Sequence, residues 1–205
     1  MRFRELENRV KALPAFNLND VRKLDPDFHR QQLSFWLQRG YIKSLAGGYY
    51  ILADQEIDER FLLTLANKIY EPSYVSLESA LAYYQVIPES VLGVTSISSR
   101  KTTQFDSSWG IFSYRCMKPI YMFGYEIIES RQKLKYKIAN LEKTILDFLY
   151  LNSGINDLED FEALRWNKYQ LLQLVDNTVF LKYLQIFDNK ALKSRVAILL
   201  EYINA

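Results

Sequence analysis

The chain has 205 residues, 49% of them apolar and 15% aromatic, with only 7 Gly and 5 Pro. This leaves room for one large domain or two small ones with filled cores, and it excludes a disordered chain. A net charge of +2 excludes a generic polyanion binder, one Cys excludes an internal disulfide, and no apolar run reaches the length of a membrane span.

In chain order, residues 1–12 read as a helix with Phe3, Leu6, Val10 and Leu13 available for one face. The start, Met1–Glu5, carries no apolar signal region, so a cytoplasmic location is expected. The stretch 15–52, AFNLNDVRKLDPDFHRQQLSFWLQRGYIKSLAGGYYIL, is the most informative. Asn17 is a good N-cap, Asp20 suits the positive helix end, and Leu18, Val21 and Leu24 form the apolar stripe. A second helix is expected over Asp27–Arg39, with Asp25 as cap, Pro26 in the first position and Gly40 as a left-handed stop. Leu33, Trp36 and Leu37 form its buried face with His29 on the same side, and Asp27, Gln31, Ser34 and Gln38 fall opposite. Tyr41–Lys43 and Tyr49–Leu52 then read as hairpin strands around Ala46-Gly47-Gly48.

Helix, helix, hairpin is the order of a winged helix-turn-helix, which presents its second helix to the DNA major groove. Gln31 and Gln38 suit adenine, Arg30 suits guanine or phosphate, and Ser34 suits base or backbone. Arg22, Lys23 and Lys43 are placed to reach phosphates, and Asp27 shares the outer face. The charge distribution agrees: residues 1–53 carry nine Lys/Arg against five Asp/Glu, while 54–99 carry two against seven. Residues 100–143 are basic again, nine against four, and 144–205 carry six against eight. A solvated helix face, or a winged helix that docks a protein and has no DNA role, would show the same pattern.

Past a boundary at 53/54, a helix is expected over 57–70 with Phe61, Leu62, Leu65 and Ile69 inside. Ser76 is placed to cap the next helix, LESALAYYQVI, before Pro88. Val91–Ser98, Gly110–Met117, Gly124–Ile128 and Leu134–Ile138 are rich in β-branched and aromatic residues and suggest a small, mainly antiparallel sheet. Helical spacing returns over 141–151, and 157–205 reads as helical with breaks near Asn167, Asp176-Asn177 and Asp188-Asn189. A last helix at 191–203 places Leu192, Val196, Leu199, Leu200 and Ile203 inward. The expected fold class is α+β: a winged helix-turn-helix over 1–53, then an α+β domain over 54–205 with a small mostly antiparallel sheet and a helical C-terminal part.

The chain resembles the AbiEi-type antitoxins, the regulator half of bacterial type IV toxin–antitoxin and phage-defence systems. Three segments carry the likeness: GYIKSLAGGYYIL, then PSYVSLESALAYYQVIPE at Pro72–Glu89, then the run Val94–Leu151 with SRKTTQFDSSWGIFSYRCMKPIYMFGYEII and IANLEKTILDFLYL. The resemblance implies an N-terminal winged helix that represses its own operon at promoter repeats of double-stranded DNA. It also implies a C-terminal domain that counters a nucleotidyltransferase-like toxin without necessarily binding it stably. DNA contacts carried over from the family fall on Asp27, Arg30, Gln31, Ser34 and Lys43; Ala46 departs from the basic residue often found before the Gly.

Ser76 and Glu78, with Ser79 beside them, are candidates for an antitoxin contact surface, and helix capping explains them as well. Arg100, Lys101, Arg115 and Lys118 could extend a phosphate-binding surface, or simply solvate a sheet edge. Glu142, near a helix start, is explained by the helix dipole, and Asp157, Glu159, Asp160 and Glu162 by capping. No enzyme, metal or cofactor is expected. With one His and one Cys there is neither a Cys/His cluster nor a nucleophile–base set, and Gly47-Gly48 lacks the Lys-Ser/Thr of a phosphate loop.

Overall fold

Caps and turns decide where the first elements begin and end. The computed structural model describes residues 1–89, 91–129, 134–175 and 177–204. Its N-terminal part runs α1 (Phe3–Val10), β1 (Phe16–Asn17), α2 (Leu18–Leu24), α3 (Gln31–Gln38), β2 (Ile42–Ser44) and β3 (Tyr49–Leu52). The Asn17 side chain accepts from the N–H groups of Asn19 and Asp20 at 2.8 and 3.0 Å, and Asp20 returns the bond to the Asn17 N–H at 3.1 Å. Strands β1, β3 and β2 pair antiparallel in that order, so Phe16-Asn17 adds a strand to the expected hairpin.

The second helix starts later than expected. Asp25 closes α2 instead of opening α3: its N–H donates to the Val21 carbonyl at 3.0 Å, and its own carbonyl accepts from the Phe28 N–H at 3.0 Å. That turn puts Phe28 in the core and leaves His29 exposed, which corrects the expectation that His29 lies on the buried side. Pro26 and Asp27 lie in the turn, and Arg30 is the N-cap. The end of α3 is as expected. Gly40, at φ 70°, lets the Tyr41 N–H reach the Trp36 carbonyl and its own N–H the Leu37 carbonyl, both at 3.0 Å. Helix α1 is shorter than 1–12, and Leu13 is exposed.

The remaining elements are α4 (Glu59–Ile69), β4 (Ser73–Val75), α5 (Leu77–Tyr83), β5 (Gly93–Ser98), β6 (Thr103–Ser107), β7 (Gly110–Cys116), β8 (Tyr125–Glu129), β9 (Lys135–Ala139), α6 (Leu141–Leu151), α7 (Leu158–Leu164), α8 (Lys168–Leu171), α9 (Thr178–Phe187) and α10 (Lys190–Asn204). The chain is therefore α+β. The larger sheet has six strands in the order β6-β7-β5-β4-β9-β8 and is mixed. Strands β5–β7 and β4–β9 pair parallel, whereas β4–β5, β6–β7 and β8–β9 pair antiparallel. This corrects the expected small, mainly antiparallel sheet, which lacked β4 and β6.

Helix α5 stops at Tyr83, before the expected Ile87. Gln85, at φ 57°, closes it so that the Val86 N–H meets the Leu81 carbonyl at 2.8 Å, and both Leu81 and Val86 are fully buried. Helix α6 has the expected bounds. The breaks in the C-terminal helices are caps: Asn167 accepts from the Tyr169 N–H, Asn177 from the Val179 and Phe180 N–H groups, and Asn189 from the Leu192 N–H. The Asp176 part of the second break lies outside the described residues. In α10, Leu192, Val196, Leu199 and Ile203 are buried and Leu200 is half-buried. The Arg195 guanidinium donates to the Leu149 and Ser153 carbonyls at 3.1 and 3.3 Å, tying α10 to the C-terminal end of α6.

One apolar cluster runs across residue 53. Ala15, Leu45, Ala46 and Ile51 pack with Phe61, Ile69, Val75 and Phe112. The hairpin connection, Ala46–Gly48, is a tight turn with Gly47 and Gly48 at φ 66° and 77°, and Gly47 lies against Ile69 of α4 and Phe105 of β6. A Cβ on Gly47 would lie 3.2 Å from Ile69 Cγ2 and 3.8 Å from Phe105 Cε1. Leu45→Ala is therefore expected to cost about 2–5 kcal/mol, the range for a buried Leu, as a shift in the urea unfolding midpoint. A variant unfolding with the wild type would show that the tip is undocked.

Candidate nucleic-acid interface

The outer face of α3 follows from its helical period. Leu33 and Trp36 are buried, Leu37 is half-buried, and Gln31, Ser34, Phe35 and Gln38 are exposed on the other side. Among the described residues, the side chains of Gln31, Ser34 and Gln38 make no hydrogen bond, and those of Arg30 and Lys43 make neither a hydrogen bond nor an ion pair. Arg30 is exposed at the helix start, and Lys43 is exposed on β2 opposite Ile51. Asp27 is exposed in the turn before α3, off the helix on which it was expected. Arg22 and Lys23 are exposed on the last turn of α2, where Lys23 lies 3.5 Å from the Asp20 carboxylate.

Sequence reasoning missed Phe35 on this face. Its ring is half exposed, and the Arg39 guanidinium carbon lies over it at 5.2 Å from the ring centre. The signal was available: at 100° per residue Phe35 falls 40° from Gln31 and 60° from Gln38, on the side away from Leu33. Beside it, Met1, Arg2, Gln31 and Tyr41 line a shallow depression.

In the second group of expected residues, several cations have internal partners. Arg100 stacks on Tyr70 at 4.0 Å and donates to the Glu71 carbonyl at 3.2 Å. Arg115 donates to the Leu151 carbonyl at 3.4 Å, and Lys118 sits 6.0 Å from the Tyr121 ring centre. Lys101 is exposed in the β5–β6 connection, with its carbonyl accepting from the Tyr70 hydroxyl at 2.9 Å. Glu78 is half-buried.

Ser76 is the N-cap residue of α5, yet its side chain makes no cap bond. Its hydroxyl donates instead to Asp147 Oδ2 at 3.0 Å, which corrects the capping explanation. The Tyr74 hydroxyl donates to the same oxygen at 2.9 Å, Lys143 Nζ donates to the Tyr74 hydroxyl at 2.9 Å, and Lys143 and Asp147 form an ion pair. All four side chains are fully buried, and the rings of Tyr74, Phe123 and Phe187 surround Lys143 Nζ at 5.0–5.4 Å. Burial pushes the Asp147 carboxyl up and the Lys143 ammonium down, each opposed by the other's charge. Sealed from solvent, the group ties β4 and the start of α5 to α6.

Compared with protein-family models and with curated proteins, the sequence matches none. Among the described residues, no three or more His, Cys, Asp or Glu are grouped to hold a metal ion, and no helix is long and apolar enough to cross a membrane.

Proposed function

We propose that residues 1–53 act as a winged helix-turn-helix that binds double-stranded DNA, with α3 in the major groove, and that the chain is a transcriptional regulator. The observation that carries this reading is the α3 face itself. Gln31, Ser34 and Gln38 are exposed and free of internal partners, with uncommitted cations at Arg30 and Lys43 nearby in sequence. The hairpin that would serve as the wing is present as β2 and β3, but Leu45 and Ala46 at its turn are buried and the exposed Gly47 and Gly48 carry no side chain. Contact from the wing is therefore assigned to Lys43 and not to Ala46–Gly48.

The test is a mobility shift on duplex DNA at two salt concentrations with full-length protein. Arg30→Ala and Gln31→Ala are each expected to weaken specific binding by about 1–3 kcal/mol. Affinity should also fall steeply as salt rises. Unchanged affinity in both variants would overturn the assignment of α3.

The resemblance to AbiEi-type antitoxins supports autorepression and the countering of a nucleotidyltransferase-like toxin. The segments that carry it build β2–β9, α5 and α6. Rescue of growth when this chain is expressed with such a toxin would test that part. A second reading, a protein-docking module, is favoured by the exposed Phe35 and Tyr41, and it predicts no salt-dependent DNA binding.

A further inference from the structure

We infer that Phe35 is a specificity-determining residue that reads the 5-methyl group of a thymine in the major groove, within an A/T-containing site. The inference rests on the DNA-binding reading above.

Phe35 has no internal task that explains it. Leu33 and Trp36 carry the packing of α3, in a cluster that also holds Leu6, Val10, Val21 and Phe28. Phe35 belongs neither to that cluster nor to its half-buried periphery, and among the described residues it stacks on no other aromatic ring. Among the described residues, the Arg39 guanidinium over the ring is its one aromatic-type contact. The ring is half exposed, with a cation over it, on a face whose other exposed side chains are Gln and Ser.

The neighbours say what the ring would meet. Gln31 lies one turn before Phe35, and Gln38 three residues after it, so the three project from one side of the helix. They span about 10 Å of helix axis, the length of roughly three base-pair steps. Gln pairs with the N6 and N7 edge of adenine, and thymine is the base that puts an apolar methyl in the major groove. A phenyl ring between two amides therefore matches a run in which adenine and thymine edges alternate along the groove. Guanine offers that ring the N7 and O6 acceptors, and cytosine lacks the methyl.

The test uses the full chain. A preferred site is first selected from a random duplex library. Each thymine in it is then replaced singly by deoxyuridine, which removes only the methyl. For the wild type, one or two such replacements are expected to weaken binding about fourfold, the value of one buried methyl group. Phe35→Ala should bind the unmodified site more weakly and lose the difference between thymine and uracil. Phe35→Leu should keep part of it. Equal urea midpoints for the three proteins would show that folding is unaffected. If the wild type binds its site but tolerates uracil at every position, or if Phe35→Ala keeps the uracil penalty, the inference is overturned and the DNA-binding reading stands. If no duplex is enriched or bound, both fall together.

Discussion

Asp147→Ala is expected to lower the unfolding free energy by about 3–5 kcal/mol, a large part of the total stability of an ordinary domain. The loss is not that of a salt bridge as such. Removing the carboxylate strands the Lys143 ammonium in a sealed site among Tyr74, Phe123 and Phe187, and it takes the acceptor from the Tyr74 and Ser76 hydroxyls. The double variant Lys143→Met, Asp147→Asn should recover most of the loss, because it removes both charges and keeps an amide oxygen for the two hydroxyls. Urea unfolding of the three proteins measures this. A double variant no better than Asp147→Ala would mean that the ion pair contributes net stability.

The same comparison has a pH signature. In the wild type, burial raises the Asp147 pKa and lowers that of Lys143. The folded pair nevertheless holds one proton at neutral pH, as the same two groups do in the unfolded chain, so it adds no slope there. In Asp147→Ala the charge that opposes burial is gone, and the Lys143 pKa drops further. Between that lowered value and the ordinary Lys range, the unfolded state binds more protons than the folded state. Stability of the variant therefore rises with pH, by up to about 1.4 kcal/mol per unit. Its deficit against wild type should shrink between pH 7 and pH 9; a constant deficit would mean that water reaches Lys143.

Gly93→Ala is the second large effect, about 2–5 kcal/mol from strain and overpacking together. Gly93 sits at φ 121° at the start of β5, paired in parallel with Ile111 of β7, and a Cβ there would lie 2.0 Å from the Ile111 carbonyl oxygen. That oxygen belongs to backbone in the middle of the sheet, so no rotamer change relieves the clash. Gly154→Ala, where nothing lies within 4 Å, serves as control and should stay within about 1 kcal/mol of wild type. Similar unfolding midpoints for both variants would contradict the close approach of β5 to β7.

What was legible from residue order is what neighbours in sequence decide. Asn17 as a cap, Gly40 as a stop, the bounds of α6 and the Asn breaks at 167 and 177 all depend on groups within about five residues. The polar face of α3 is of the same kind, since helical period alone separates Gln31, Ser34 and Gln38 from Leu33 and Trp36. The start of α3 was not legible. Asp25-Pro26-Asp27 is a good helix opening by local chemistry, but the demand to bury Phe28 turns it into a link.

The candidate site divides in the same way. Gln31, Ser34 and Gln38 could be named in advance, whereas the approach of the hairpin turn to Ile69 and Phe105 could not, because those residues lie far along the chain. The sequence by itself determined the caps at Asn17, Asn167 and Asn177, the α+β class and the polar face of α3. Only the tertiary structure decided the parallel pairings, the three-residue strand β4 and the side chain of Ser76, which leaves its own helix end for a carboxylate 71 residues away. The physical reason is the range of the forces concerned: a cap or a helical stripe is a balance among adjacent residues. A buried Lys–Asp pair or a parallel ladder instead exists only once distant segments have together excluded water.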